Sequence, residues 1–345
     1  MKHDDQKNAG IASRMQRRDF IKFAGLGTVA LSAGLQGCAS LARLGGSRDV
    51  RPFTIIALPD TQYYSKAFPH IFTAQTEWIR DNKEALDIFL VIHEGDITDN
   101  NAEEEWKNAR KSLDVLDGVV PVCLNTGNHD QPGWGAERQL THFYDFFPRS
   151  RYENLPWFGG TWQDGIENAY WKFERDGVPY LVLCLEFGPR DEVIDWANRI
   201  LDAHPKHRVI FSTHCYMYSD DTRVGEGDKW NPRTYAGADN DGEELWEKMV
   251  RRHENIFLVL SGHILNDGKG RLTSTNEHGS PVHQVLANYQ MLPDGGEGWL
   301  RIITIDPAAN QITMKTYSPW LDRFATDEEN EFVIENAFRP GFFNV

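Results

Sequence analysis

From Phe53 onward, short apolar runs alternate with amphipathic stretches. Phe53-Thr54-Ile55-Ile56-Ala57-Leu58 is almost continuously apolar and closes at Pro59. A run of that length without period-two alternation predicts a strand buried on both faces. Gln75–Asn82 reads as helix, Ile88–Ile92 as a second strand, Ala102–Leu116 as a helix and Val119–Leu124 as a third strand. This β-α-β-α-β rhythm predicts a largely parallel sheet with crossover helices. Tyr170–Phe173 and Tyr180–Leu185 flank Asp176-Gly177, the dipeptide of a tight hairpin turn. A helix over Val193–Ala203, a strand over Val209–Ser212, a helix over Gly242–Arg252 and a strand over Ile256–Leu260 follow. Gly270–Tyr317 alternates in the manner of antiparallel strands. The expected product is one α/β domain over residues 51–320, a sandwich of two mixed β-sheets flanked by helices, with 321–345 as a C-terminal extension.

The first fifty residues do not share this pattern. Arg17-Arg18-Asp19-Phe20-Ile21-Lys22 is a twin-arginine pattern, followed by an apolar, Gly- and Ala-rich run from Phe23 to Leu35. That run is shorter than the roughly 20 residues a bilayer core requires. It ends in Leu35-Gln36-Gly37-Cys38, which resembles a bacterial lipoprotein box with Cys38 as the acylated residue. The reading is an export signal over 1–37 and a linker over 38–50 containing Gly45-Gly46-Ser47. An ordinary N-terminal helix is the alternative. The implied location is periplasmic or cell-envelope by the twin-arginine route, with a membrane contact through an acyl anchor at Cys38.

Composition narrows the class. The chain has 345 residues, a formal net charge of −15, 40% hydrophobic residues and four cysteines. That excludes wholesale disorder and a disulfide-scaffolded miniprotein. The acidic balance argues against a nucleic-acid partner, which needs clustered Lys and Arg. It leaves room for a phosphate-bearing substrate, because bound metal ions supply positive charge locally. Cys123 and Cys184 lie within apolar runs and read as buried thiols.

Polar clusters follow the expected strands in turn: Asp60-Thr61-Gln62, Gly95-Asp96-Ile97-Thr98-Asp99-Asn100, Gly127-Asn128-His129-Asp130, Thr213-His214 and Gly262-His263. Each alone reads as turn chemistry. Five of them at consecutive strand ends place carboxylate, amide and imidazole on one rim, a donor set for divalent transition metals.

The order and spacing of these motifs, over about residues 53–265, resemble the calcineurin-like metallophosphoesterase superfamily. Leu58-Pro59-Asp60-Thr61-Gln62 resembles more narrowly a branch of exported members. The resemblance implies a metallophosphoesterase-like sandwich, two divalent ions (Mn, Fe, Zn or Mg) and a phosphate-ester substrate. It implies Asp96 bridging the ions, Asn128, His214 and His263 completing the second site, and Asp60 ligating the first. It further implies a catalytic His129 beside the phosphate, oriented and kept charged by Asp99. Such an enzyme hydrolyses phosphomonoesters or phosphodiesters through a metal-activated water.

Two positions depart from the family pattern, and both belong to the first site. Gln62 stands in place of a histidine and offers only an amide oxygen, and Leu265 replaces the second histidine of the last motif. The first site is therefore expected to be weaker and oxygen-rich, favouring a harder ion such as Mn or Mg. Asn266 and Asp267 are possible substitute ligands, and His93, His278 and His283 are more distant candidates. Trp134–Gly165 is rich in aromatics and reads either as a wall of the substrate pocket or as a cover over the core. Arg223, Lys229 and Arg233 lie in a long polar loop after His214 and read as phosphate binders or as solvated charge, and Asn288-Tyr289-Gln290 ends another strand. The rival readings are a catalytically degenerate metal-containing lipoprotein acting as a binding or scaffold module, and a nuclease-like enzyme, which the acidic charge disfavours. Substrate identity and oligomeric state stay open at this point.

Overall fold

The computed structural model of the chain describes residues 50–344. The twin-arginine segment and Cys38 lie outside the described residues. None of the described helices is long and apolar enough to cross a membrane.

Two seven-stranded sheets pack face to face. The first contains β1 (Phe53–Leu58), β2 (Ile88–His93), β3 (Val122–Leu124), β11 (Leu300–Asp306), β12 (Gln311–Ser318), β13 (Arg323–Ala325) and β14 (Glu331–Glu335). Its order is β13-β12-β11-β1-β2-β3, with β14 sharing the outer side of β12. β1, β2 and β3 are parallel, whereas β11 joins β1 antiparallel. The second sheet runs β4-β5-β6-β7-β8-β10-β9, from β4 (Phe158–Thr161), β5 (Ala169–Arg175), β6 (Val178–Leu185), β7 (Arg208–Thr213) and β8 (Ile256–Ser261) to β9 (Lys269–Thr275) and β10 (Pro281–Ala287). β6, β7, β8 and β10 are parallel, and β5 and β9 are antiparallel flanks.

The strand periodicity explains the layers. On β6, Tyr180, Val182 and Cys184 point into the core between the sheets, while Leu181, Leu183 and Leu185 point to the opposite face. That outer face is covered by the helices α5 (Asp191–Ala203) and α6 (Gly242–Lys248), whose Val193, Ile194, Ala197, Leu201 and Leu245 are buried there. A strand buried on both faces has no polar face, which is why β6 reads as a continuous apolar run. The first sheet is covered by α1 (Gln62–Ala67), α2 (Pro69–Asn82) and α3 (Glu103–Leu113). The Asp176-Gly177 turn forms as expected, with φ of +50° and +75° between β5 and β6.

The aromatic segment after Trp134 serves mostly as cover. Its short helix α4 (Thr141–Phe146) and the residue after it bring Phe143 and Phe147 against the buried Trp106 of α3. Truncating a fully buried tryptophan such as Trp106 to alanine costs about 3–5 kcal/mol. Within the segment expected as an extension, 321–345, β13 and β14 complete the first sheet, and Phe338 and Phe342 are buried in the core. Cys123, Cys184 and Cys215 are free, buried thiols.

Candidate metal centre

The strands of both sheets that point the same way deliver their following loops to one rim. Asp60 follows β1, Asp96 follows β2, Asn128 follows β3, His214 follows β7 and His263 follows β8. Asp60, Asp96 and His263 all adopt the left-handed region, with φ of +36°, +48° and +69°. Non-glycine residues pay for that conformation, and it is found where a side chain has to be aimed. Here the turn of each loop swings the donor back over the ends of the strands.

The geometry of two imidazoles fixes their chemistry. His214 donates from Nδ1 to the Glu94 carbonyl at 2.8 Å, and His263 donates from Nε2 to the Trp230 carbonyl at 2.9 Å. A carbonyl only accepts, so the lone pairs are left on His214 Nε2 and His263 Nδ1. These two atoms face each other at 3.2 Å, and Asp96 Oδ2 lies 3.2 Å from the same His214 nitrogen. Asp96, His214 and His263 offer donor atoms all within 4.8 Å of one another, and all three are buried. Asn128 adds a buried carbonyl oxygen, Oδ1, that has no hydrogen-bond partner.

Backbone approach holds this arrangement in place. A Cβ on Gly127 would lie 2.0 Å from Asp96 Oδ1, and one on Gly262 would lie 2.1 Å from Asp60 Oδ2. Both motif glycines are therefore needed for close packing. The His263 amide donates to the Asp60 carboxylate at 3.2 Å, and the His129 amide donates to Asp96 Oδ1 at 2.9 Å. Asp130 accepts from the amides of Gly127, Ile97 and Thr98 and from the Thr98 hydroxyl, so it organises two motif loops. Burial, together with the neighbouring Asp96, pushes its carboxyl up to about 7.

His129 lies against Asp99, the residue expected beside it, and meets both its backbone and its carboxylate. Its Nδ1 donates to the backbone carbonyl of Asp99 at 2.7 Å, while the Asp99 carboxylate stands at 3.5 Å. That carboxylate is engaged by Lys66 Nζ at 2.5 Å and by Gln62 Nε2 at 3.4 Å. Gln62 and Lys66 lie one helical turn apart on α1, so they reach the same acceptor. The Asp99 backbone is pinned in turn by Glu105, whose Oε2 accepts from the amides of Asp99 and Asn100 at 3.0 and 2.7 Å. The carbonyl that orients His129 is thus set by a helix-borne carboxylate.

Residues 53–278 match the family model described as calcineurin-like phosphoesterase. The chain belongs to that family. It is 33% identical over 304 residues to the uncharacterised protein YvnB of Bacillus subtilis, covering 84% of this chain and 22% of that one. It is 24% identical over 185 residues to the probable glycerophosphodiester phosphodiesterase GpdQ of Arcobacter nitrofigilis, covering 51% of this chain and 56% of that one. The chain thus spans about a fifth and about half of the lengths of these two relatives. A solved structure of GAP50, the anchor in the inner membrane complex of Plasmodium, covers 84% of this chain and 90% of its own at 11% identity and a TM-score of 0.49.

For a calcineurin-like phosphoesterase the donor set has to suit divalent cations, and here the fit is uneven. Two converging imidazole lone pairs, the Asp96 carboxylate and the unpartnered Asn128 oxygen suit one ion well. For a second, Asp60 and the Gln62 Oε1 atom remain. Gln62 Oε1 is buried without a partner because its amide nitrogen already serves Asp99. Asn266 and Asp267 are exposed and turned elsewhere, Asn266 donating to Ser219 at 2.7 Å and Asp267 accepting from the Lys269 amide at 3.2 Å. His93 lies beneath the site bonded to Thr61, while His278 and His283 bond to the carbonyls of Arg252 and Ala337. Arg223 and Arg233 pair with Glu243 and Glu244. Asn288 and Gln290 are buried, with Asn288 Nδ2 and Gln290 Oε1 unpartnered.

The protein chain alone concentrates buried acid at this rim. Burial pushes the Asp60 carboxyl well above the usual carboxylate range, against the pull of His214 and with the push of Asp96. Burial also raises Asp96, but the charges of His214 and His129 outweigh it and hold Asp96 below its ordinary value. His214 is pushed up to about 9, because the Asp96 carboxylate, by charge and hydrogen bond, and the Asp60 charge overcome its burial. His263 is lowered to about 3 by burial and by the charge of His214. Without a cation, a proton on His214 fills the electrostatic gap among these groups.

Proposed function

We propose that this chain is a metal-dependent hydrolase of phosphomonoesters or phosphodiesters. The observation that carries it is the convergence of His214 Nε2, His263 Nδ1 and Asp96 Oδ2, together with the unpartnered Asn128 oxygen and His129 beside them. Asp96, Asn128, His214 and His263 would hold one ion, and Asp60, Gln62 and Asp96 a second, weaker one. The likeness to a glycerophosphodiester phosphodiesterase supports including diesters among the substrates. When bound, the ions would supply charge neutralisation for the phosphoryl group and activation of water.

The chain's own residues supply the rest. Because His129 Nδ1 donates to a carbonyl, Nε2 is the atom left to face a substrate, and in the imidazolium form it donates a proton to the departing oxygen. Lys66 and Gln62 hold the Asp99 carboxylate, and Glu105 fixes the loop from which the Asp99 carbonyl projects. We further propose that the chain acts outside the cytoplasm, exported by the twin-arginine route and tethered at Cys38, on the strength of the Arg17-Arg18 pattern and the Leu35–Cys38 box.

The test is metal content and turnover of the protein on alkyl and aryl phosphate mono- and diesters with added Mn. Metal-dependent hydrolysis that is lost in His129→Ala, with metal content retained, is expected. The departures at Gln62 and Leu265 favour a second reading, a metal-containing lipoprotein that binds without catalysis. Full metal content with no turnover on any ester would select it. For the tether, Cys38→Ala is expected to release the protein from membranes, and continued membrane association would overturn that part.

A further inference from the structure

We infer that Trp134 is a stacking platform for the leaving group, so that the preferred esters carry a planar unsaturated ring on the departing alcohol. This rests on the hydrolase reading above. Trp134 sits in the loop that follows the Asn128-His129 motif, in the turn Pro132–Trp134, and is 59% exposed. Its ring centroid lies 6.2 Å from that of His129, with the planes inclined at 39°. The exposed indole and the imidazole are therefore neighbouring rings at the edge of the candidate metal centre.

Packing does not explain this placement. Gly133, Trp134 and Gly135 have consecutive φ values of +61°, +55° and +89°. For a bulky residue the left-handed region costs on the order of 1–3 kcal/mol, and exposing an indole forfeits its burial as well. Both costs fall on one residue, next to the proposed general acid.

The loop is also registered to the metal centre. The Gly237 amide donates to the Gly135 carbonyl at 3.1 Å. A Cβ on Gly135 would lie 3.0 Å from the Asn128 Cβ and 3.4 Å from the Tyr235 ring, and Tyr235 stands 5.8 Å from the ring of His263. The loop thus touches one proposed ligand directly and another through a single side chain. Trp230, whose carbonyl accepts from His263, already carries Lys229 at 4.1 Å over its ring. Among the described residues no cation lies over Trp134, and a planar ring is the group that makes fullest use of an open indole face. Base–aromatic stacking is worth about 1–3 kcal/mol.

Adenosine 5′-monophosphate and ribose 5-phosphate test this, because in both the leaving oxygen is a primary ribose 5′-oxygen and they differ at C1′, where one carries a purine and the other a hydroxyl. With the Mn-loaded full chain, kcat/KM is expected to favour the nucleotide by about tenfold or more. In Trp134→Ala that ratio is expected to fall to near one, mainly through KM, and Trp134→Phe is expected to keep most of it. Adenosine, which has no ester, is expected to bind the wild type by calorimetry and not Trp134→Ala. Hydrolysis of both esters with a wild-type ratio near one would overturn the platform and leave the hydrolase reading standing. So would a ratio unchanged in Trp134→Ala. If neither ester, nor its methyl diester, is hydrolysed but adenosine binding disappears with Trp134, ring binding at Trp134 stands, while the hydrolase reading and with it the leaving-group role fall.

Discussion

Nε2 of His214 and Nδ1 of His263 face each other across 3.2 Å, while the opposite nitrogen of each ring is tied to a backbone carbonyl. Two lone pairs at that distance repel unless a proton or a cation lies among them. In the protein chain alone the Asp96 carboxylate favours a proton on His214, pushed up to about 9. A metal has to displace that proton, so loading is expected to release about one proton per chain below pH 9. Apparent affinity should then rise by roughly tenfold per pH unit between pH 7 and pH 9. Titration calorimetry in buffers of differing ionisation enthalpy counts the proton. No release would mean that His214 is not a ligand.

The same group makes the metal-free protein sensitive to alkali. His214 is raised from 6.5 to about 9, so its contribution to stability is complete below pH 6.5 and is lost as the pH climbs through 9. Asp60, also raised, acts in the same sense from lower pH, because the folded state binds the proton more tightly than the unfolded chain. His263, lowered to about 3, acts in the opposite sense but only below pH 6.5. Thermal unfolding of the chelator-treated protein should therefore show a midpoint that falls between pH 7 and pH 9. Saturating Mn should reverse most of that fall, and a flat profile without metal would contradict the assignment.

The Asp99 backbone, rather than its carboxylate, orients His129: Nδ1 lies 2.7 Å from the carbonyl and 3.5 Å from Oδ1. His129→Ala should lower kcat by about 10²–10⁴-fold. Asp99→Asn retains the carbonyl and should cost less than about tenfold, whereas Glu105→Ala, which frees the amides of Asp99 and Asn100, should cost more than Asp99→Asn. Steady-state kinetics on one ester with matched metal content separates the three. Equal losses for His129→Ala and Asp99→Asn would restore the carboxylate to the orienting role.

Much of this was legible from residues alone, for identifiable reasons. β1 closes at Leu58 in sequence and structure alike, because a doubly buried strand has to be apolar throughout and the proline after it ends the run. The donors Asp96, His214 and His263 were legible because each follows the end of a strand by three residues at most. The joining of β11 to β1 was not, because local alternation carries no information on which sheet a strand enters. Nor was the use of the Asp99 carbonyl, since sequence motifs name side chains and the backbone is silent. Lys66 had a usable signal, its four-residue spacing from Gln62, but only once α1 is known to start at Gln62. β13 and β14 beyond residue 320 are three and five residues long, too short to announce that they complete a sheet.

Close approach at the motif glycines gives a test that spares every donor. A Cβ on Gly127 would stand 2.0 Å from Asp96 Oδ1 and 2.5 Å from the Asp96 amide nitrogen. The second contact is backbone, so rotation of a side chain cannot relieve it, and the loop carrying Asp96 has to move. Gly127→Ala should therefore lower metal content and reduce the thermal midpoint by several degrees, as expected for about 1–3 kcal/mol of overpacking. At Gly225, where a Cβ would come no nearer than 3.4 Å to its neighbours, the same substitution should change neither. Normal metal content in Gly127→Ala would show that Asp96 tolerates displacement and weaken its place as the shared ligand.

The proposed asymmetry between two metal sites provides the last test. Gln62 presents one buried oxygen, Oε1, without a partner, and its nitrogen is committed to Asp99. A neutral amide oxygen binds a divalent transition metal more weakly than an imidazole does. Leu265, at the family's second histidine position, offers no donor atom at all. One ion should accordingly be lost readily to a chelator while the ion held by His214 and His263 persists. Gln62→Ala should abolish only the labile ion, and His263→Ala only the persistent one. The double substitution Gln62→His with Leu265→His should slow loss of the labile ion by at least about tenfold, equivalent to roughly 1.4 kcal/mol. Elemental analysis of metal per chain after timed dialysis measures all three. Two ions leaving at one rate in the wild type would mean that Gln62 serves its site as well as a histidine does.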